Sequence, residues 1–577
     1  MKIACSLGVA ALIFLFSATV YAKTLRLSAD GPAPQAPLPI GSYPIASSPE
    51  LLTAELEDTI RVIGPGGAQF DFRLTNVNRT ARGNVYMAGY DSVNLRRLTL
   101  SVSPSYQLIG QAYLGEERVL FGEENDTLSM TFTDEASLEY VRFLDDGIAP
   151  TAEIFASTDE PAPSTSISTI DLLVLYEPSI PTIANEIDYL INYTNGLYSN
   201  SGIGVRFRLA ASKAYPLATV DNYTALETIT VDETVASWRK LYGADMVTYL
   251  RPYSGAGCGV AWVLGSDGTS FNAVAIKRLS FSITNRGRDE SSYCGDESLA
   301  HELGHNFGAM HDRRNSGTAE PYYPYAYGDG IDGLFGTVMS YLSPEVPYFS
   351  SPFIRDCNGY DCGINNYTDV ARAVNNVHHL YEDIFNELVE PFGQGPVDLS
   401  GTVSSLDGAN VCALVLASGQ YMFSCDPVGV YALNGLPREE DRTVTRQVYA
   451  DGFFPSIEIL GGTTSESVTL IPSKNCPTYN PKSFPAVNSQ LAGNLHTIAG
   501  NVLLKNSNIG VCALVLANGS IMFSCDGRGS YELEFPLDAN GQFTLQVYAD
   551  GFAPAVQTFD ASNLGGDMRM TPSTECQ

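Results

Sequence analysis

The chain has 577 residues, more than one hydrophobic core accommodates, and roughly three to five domains are expected. Its 33 basic and 64 acidic side chains give a formal charge of −31, and no basic stripe is present to displace counterions from phosphate, which argues against a nucleic-acid partner. Apolar content of 44% is ordinary for a globular protein, and 52 glycines with 32 prolines point to many turns.

Residues 1–22 read as a secretory signal peptide. Lys2 gives a positive start, "LGVAALIFLF" supplies the apolar stretch, and "TVYA" ends in a small-x-small-like site after Ala22. The remaining chain is expected to be secreted, and no later stretch is long enough to span a membrane. Of 11 cysteines, Cys5 leaves with the signal; the other ten form an even set, which implies disulfides in an exported chain. None lies between Lys23 and Gly257.

Residues 23–165 alternate apolar and polar positions, as in "RLTLSVS" and "LSMTFTD", and predict a β-rich domain. The segment "STDEPAPSTSIS" (157–168) is a Pro/Ser/Thr-rich acidic linker. Residues 166–393 change pattern. "IDLLVLY" (170–176) reads as a buried strand, Ile183, Ile187, Leu190, Ile191 and Leu197 share one helical face, and a second helix precedes the strand "DMVTYL" (245–250). Strands alternating with helices indicate α/β layers. Near Cys362 a helix returns, with His378 and His379 expected on its polar side rather than as ligands.

Residues 397–477 and 497–577 are two copies of one small all-β domain. "VCALVLASGQYMFSCD" at 411 returns as "VCALVLANGSIMFSCD" at 511, identical at 13 of 16 positions. Asn518-Gly519 is a two-residue hairpin signal, with Ser418-Gly419 in the same place. Pairing outward from these turns places Cys412 opposite Cys425 and Cys512 opposite Cys525, within disulfide reach. Cys476–Cys576 is the simplest remaining pair, though the spacing does not force it.

The chemistry concentrates at "HELGHNFGAMHD" (301–312), which holds three of the six histidines. On a helix His301 and His305 stand at i and i+4, about 5–6 Å apart at Cβ, so both imidazoles can reach one Zn²⁺. Glu302 projects beside the first ligand, positioned for a metal-bound water. Gly308 can take a positive φ, end the helix and bring His311 round as third ligand. Three protein ligands with one open position is the catalytic pattern, whereas four closed ligands are structural.

"HELGHNFGAMHD" resembles the long zinc signature of the metzincin metallopeptidases, and "GTVMSY" (336–341) resembles that clan's methionine turn, with Met339 beneath the metal. Asp312 after the third histidine is similar to the reprolysin branch; "MSY" is similar to the astacin and serralysin branches, where the tyrosine at the place of Tyr341 is an extra ligand. The order of segments looks closest to bacterial reprolysin-like enzymes, including the peptidyl-Asp metalloendopeptidases, over about residues 168–390. The C-terminal copies look like carboxypeptidase-regulatory or transthyretin-like sandwiches.

The resemblance implies a multidomain protein: an α/β (α+β) metzincin catalytic domain, a β-rich propeptide before it and two small β-sandwiches after it. It implies one catalytic Zn²⁺ on His301, His305 and His311, Glu302 as general base, and Asp312 orienting the turn. Tyr341 binds zinc, contacts the transition state or merely lines the wall. The strand Gly259, Val260, Ala261 and Trp262 corresponds to the substrate-pairing edge, flanked by a Cys258–Cys294 bridge, with Cys357–Cys362 closing a small loop. Ca²⁺ is allowed for without an identified site. Expected partners are protein or peptide substrates and the chain's own propeptide as inhibitor, which lacks a cysteine to place on the metal. The β repeats would bind a surface or polymer. The competing reading is a surface adhesin with a vestigial peptidase domain, against which the intact Glu302 counts.

Overall fold

The computed structural model describes residues Lys23 to Pro572 with interruptions, the longer ones at 29–40, 135–138, 141–145, 150–165, 266–270, 386–394, 473–494 and 561–565. The signal peptide, most of the acidic linker, the Asn518-Gly519 turn and the expected Cys512–Cys525 and Cys476–Cys576 bridges lie outside the described residues.

The first domain is a nine-stranded sheet. Seven strands from Thr59–Ile63 to Thr127–Asp134 form an antiparallel meander, with Thr24–Ser28 added in parallel at one edge and Gly41–Pro44 antiparallel at the other. Alternation sets the faces: Phe70, Phe72 and Leu74 point into the core while Gln69, Asp71 and Arg73 face water. Its apolar core, from Leu25 to Phe132, is separate from that of the rest of the chain.

The peptidase-like region is built on four parallel strands in the order Val205–Ala214, Ser168–Tyr176, Met246–Pro252 and Phe281–Arg288. Their near-continuous burial is what a parallel sheet covered on both faces requires. The short strand Gly259–Trp262 runs antiparallel to Phe281–Arg288. Helix Ile183–Asn200 carries the expected apolar face. Where one helix was expected before Met246–Pro252, there are two, Asn222–Val231 and Glu233–Leu241, because Asp232 ends the first and N-caps the second by accepting from Val235 N. His378 sits with His379 in a short 3₁₀ turn, its Nδ1 2.9 Å from Ser168 Oγ, and neither joins His301, His305 and His311.

The first C-terminal copy is fused to this sheet. Ser456–Leu460 lies against Val205–Ala214 at the Ala211–Leu460 bridge, and the sheet continues through Val444–Tyr449, Leu414–Ala417 and Gln420–Phe423. Tyr176 Oη donates to Ile457 O at 2.9 Å and accepts from Ile457 N at 3.0 Å. Beside it lies a buried charge cluster in which Lys213 pairs with Glu458 and Glu466, and Arg446 with Glu458. Despite burial, Arg446 and Lys213 hold the Glu458 carboxyl below the usual carboxylate range. In the second copy Leu545, Gln557 and Gly566 stand where the first has Arg446, Glu458 and Glu466, and its core is largely its own. Cys412 and Cys425 are bonded across the first copy's hairpin at a Cα separation of 4.2 Å.

Lys213→Met leaves Glu466 without its cation and Glu458 with Arg446 alone. It is expected to destabilise the joint by about 3–5 kcal/mol, read as a lower urea midpoint for the peptidase-like region, with the first domain's own transition unmoved.

Candidate metal centre

Helix Ser298–Asn306 is buried along its whole length. Asn306 Nδ2 donates to Trp262 O at 2.9 Å and to Phe281 O at 3.1 Å, tying the helix end to the edge strand and its neighbour. No motif marks Asn306 as a site residue; its role emerges only from the fold. Two bonds close the helix, Gly308 N to His305 O at 2.8 Å and Ala309 N to Gly304 O at 3.1 Å, which together form a Schellman cap. Gly308 has φ +83°, and a Cβ there would lie 2.7 Å from Leu264 O. The cap turns the chain so that His311 faces back toward the helix.

The three imidazoles converge. His305 Nε2 lies 3.2 Å from His301 Nε2 and 3.0 Å from His311 Nε2. His301 Nδ1 is 2.7 Å from Val338 O, and His305 Nδ1 is 2.8 Å from Ala309 O. A carbonyl only accepts, so both Nδ1 atoms carry the proton and both Nε2 lone pairs face the common point. Burial pushes the His305 imidazole down to about 4, which keeps it neutral. Three nitrogens each about 2.0–2.1 Å from one tetrahedral zinc would stand roughly 3.3 Å apart, close to the spacing seen. The donor set therefore fits a zinc ion held by His301, His305 and His311.

Met339 is fully buried beneath the helix; a Cβ on Gly304 would lie 2.5 Å from its sulfur. Tyr341 Oη is 3.0 Å from His311 Nε2, and its ring lies nearly parallel to that of His301. Asp312 does not reach the cluster. Its carboxylate accepts from Tyr341 N at 3.0 Å, Ser340 Oγ at 3.1 Å and Asn315 Nδ2 at 2.8 Å, joining the turn after the third histidine to the turn after Met339.

Glu302 is 1% exposed, its Oε2 has no hydrogen-bond partner, and a Cβ on Gly259 would collide with its Oε1. Burial, then the charge of Asp146, pushes its carboxyl well above the usual range. Val260 and Ala261 are buried in the edge strand, and Trp262 Nε1 donates to Thr230 Oγ1 at 2.9 Å, fixing the ring on helix Asn222–Val231. Cys258 and Cys294 are bonded with Cα atoms 5.1 Å apart, and Cys357 and Cys362 with Cα atoms 5.3 Å apart.

Sequence reasoning missed Asp146. It belongs to the first domain's side of the linker, yet its Oδ1 lies 3.3 Å from His305 Nε2 and 2.5 Å from His311 Nε2, and its Oδ2 3.7 Å from His301 Nε2. Against its own burial, His311 and His301 hold its carboxyl well below the usual range. The only available signal was indirect: without a cysteine, the first domain has to meet a metal with another group. Among the described residues no other set of three His, Cys, Asp or Glu ligand atoms converges, so the Ca²⁺ allowance gains no site.

Residues 166–368 match the family model described as Metallo-peptidase family M12B Reprolysin-like. A peptidyl-Asp metalloendopeptidase of Pseudomonas aeruginosa is 29% identical over 256 residues, covering 38% of this chain and 40% of that protein. Both findings support a zinc metallopeptidase. The chain thus spans about two-fifths of the length of that curated relative. Two solved structures are more distant: a chaperone–substrate complex (20% identity, TM-score 0.31, 47% of this chain and 39% of that one) and metalloproteinase-II from Bacteroides fragilis (15% identity, TM-score 0.29, 45% and 82%). No described helix is long and apolar enough to cross a membrane.

Gly308→Ala forces a side chain into the left-handed region against Leu264 O. It is expected to cost more than about 1 kcal/mol and, by displacing His311, to lower bound zinc well below one per chain, measured by elemental analysis after gel filtration.

Proposed function

We propose that this chain is a secreted zinc endopeptidase of the metzincin clan that hydrolyses peptide bonds in protein substrates. The observation that carries this is the convergence of three imidazole nitrogens on one point, with Glu302 buried alongside and Tyr341 Oη at its rim.

Bound zinc would supply Lewis acidity, polarising the scissile carbonyl and lowering the pKa of water toward about 7. The chain's own groups do the rest. Glu302, held against Gly259 without a partner for Oε2, takes the proton of the attacking water and passes it to the leaving amine. Main-chain groups of Gly259–Trp262 align an extended peptide beside this carboxyl. Tyr341 Oη lies next to His311 Nε2, where it can donate to the oxyanion, and Asp312 holds Tyr341 in place. The first domain is the intramolecular inhibitor, and processing in the 157–168 linker separates it.

A preference for Asp in the substrate is suggested by the Pseudomonas relative's name.

The test is proteolysis of casein and of a peptide library by processed protein, beside processed Glu302→Gln. The variant is expected to keep one zinc per chain and to lose about 10²–10⁴-fold in rate. Equal, zinc-independent behaviour of the two proteins would sink the peptidase reading.

A further inference from the structure

Asp146 stands in a segment that does more than approach the histidines. Gly147–Ile148 forms a strand parallel to Gly259–Trp262, in the register Gly147–Ala261 and Ile148–Trp262. Ala261 N donates to Asp146 O at 2.9 Å, and Val263 N to Ile148 O at 2.9 Å. The main-chain donors that an extended substrate would need are therefore already engaged. Space is tight as well: a Cβ on Gly147 would lie 2.9 Å from His305 Cε1 and 2.9 Å from Val263 Cγ2, so glycine lets the backbone pass this close.

We propose that Asp146 is the fourth metal ligand of the unprocessed chain, and that residues 146–148 close the site by taking both the water's position and the substrate's strand. This rests on the peptidase reading for its regulatory meaning, but not for its coordination chemistry. The arrangement inhibits without being consumed. The carbonyls of residues 146 and 148 are turned to the edge strand, and the group facing the histidines is a side-chain carboxylate, which has no amide to cleave. Four protein ligands make a closed, inert site; three with an open position make a catalytic one. Asp146 is thus the residue whose departure converts the first kind into the second.

The segment is held on both sides. Upstream, Glu139–Tyr140 pairs in parallel with Ser292–Cys294, just beyond the Cys258–Cys294 bridge. The domain it comes from grips helix Ile183–Asn200 through polar contacts: Arg82 and Asn84 to Asp188, Ser101 to Asn185 and Thr99 to Tyr189. Arg118 reaches Glu345 at 3.0 Å, near the methionine turn. These bonds let the segment act as an intramolecular ligand at high effective concentration, lost once the linker is cut and the domain leaves.

The experiment uses the exported full-length chain carrying Glu302→Gln to prevent self-processing, with Co²⁺ in place of zinc. Its visible spectrum is compared with those of the same protein carrying Asp146→Ala or, separately, Gly147→Val, which unseats the segment without altering a ligand atom. Both substitutions are expected to shift the d–d bands toward those of processed Glu302→Gln protein. In the Glu302 background, both are expected to raise cleavage of a small quenched peptide by the intact chain at least tenfold. Unchanged spectra in both variants would overturn the proposal. A shifted spectrum with processed wild-type protein inert on every substrate would leave the ligand assignment standing while sinking the peptidase reading.

Discussion

Everything at the centre depends on two hydrogen bonds that face away from it. His301 and His305 each give an Nδ1 proton to a backbone carbonyl, of Val338 and Ala309 respectively, and this obliges both Nε2 atoms to present lone pairs to the same point. Two lone pairs held 3.2 Å apart in a buried site repel each other unless a cation lies between them. The carbonyls come from opposite sides: Ala309 from the cap that ends the helix, Val338 from the turn before Met339. The helix, its cap and the methionine turn are therefore one device, and Asp312 joins its two loops by accepting from Tyr341 N and Ser340 Oγ.

The helix is positioned by the sheet. Asn306 bonds carbonyls on two strands, and Gly304 and Gly308 allow Met339 and Leu264 to approach where any side chain would collide. That explains why Glu302 stands beside Gly259: the edge strand and the helix are locked together at Asn306, one turn beyond the Glu302 carboxyl. The first C-terminal copy extends the same sheet on its far side. Its Glu458 and Glu466, with Arg446, surround Lys213 from the peptidase-like region. Buried charges of this kind contribute little net stability, but they penalise any arrangement that leaves one unpaired. They fix where the copy docks.

What the sequence disclosed follows the range of the interactions. The three converging histidines, the helix, its glycine stop and the Cys412–Cys425 hairpin lie within a dozen or so neighbours, so local periodicity and turn chemistry suffice to read them. Asn306 was legible as a helical residue but not as a tie, because its partners, Trp262 and Phe281, are set by strand order. Asp146 itself carried no direct signal. An Asp-Gly pair in a β-rich stretch reads as a turn, and only the path of the chain across the cleft brings it to histidines more than 150 residues away. The fusion of the first copy was hidden for the same reason: Glu458 and Glu466 look like solvated charges until Lys213 is placed beneath them.

The two flanking parts are attached in opposite ways, and the difference bears on what can be removed. The first domain keeps its own apolar core, from Leu25 to Phe132, and meets the peptidase-like region through polar pairs such as Arg82–Asp188 and Ser101–Asn185, together with an apolar contact in which Tyr86, Ala88 and Ile109 pack against the central cluster. Its separation would uncover these polar groups, which water can satisfy, along with Tyr86, Ala88 and Ile109. The first C-terminal copy instead shares one continuous apolar cluster with the peptidase-like region, from Ile170 through Val415 to Leu470. Cutting there would expose a core face and strand Lys213 among solvent-opened partners. The first C-terminal copy is therefore built into the sheet as part of one core, while the first domain is joined to it across a boundary between two cores.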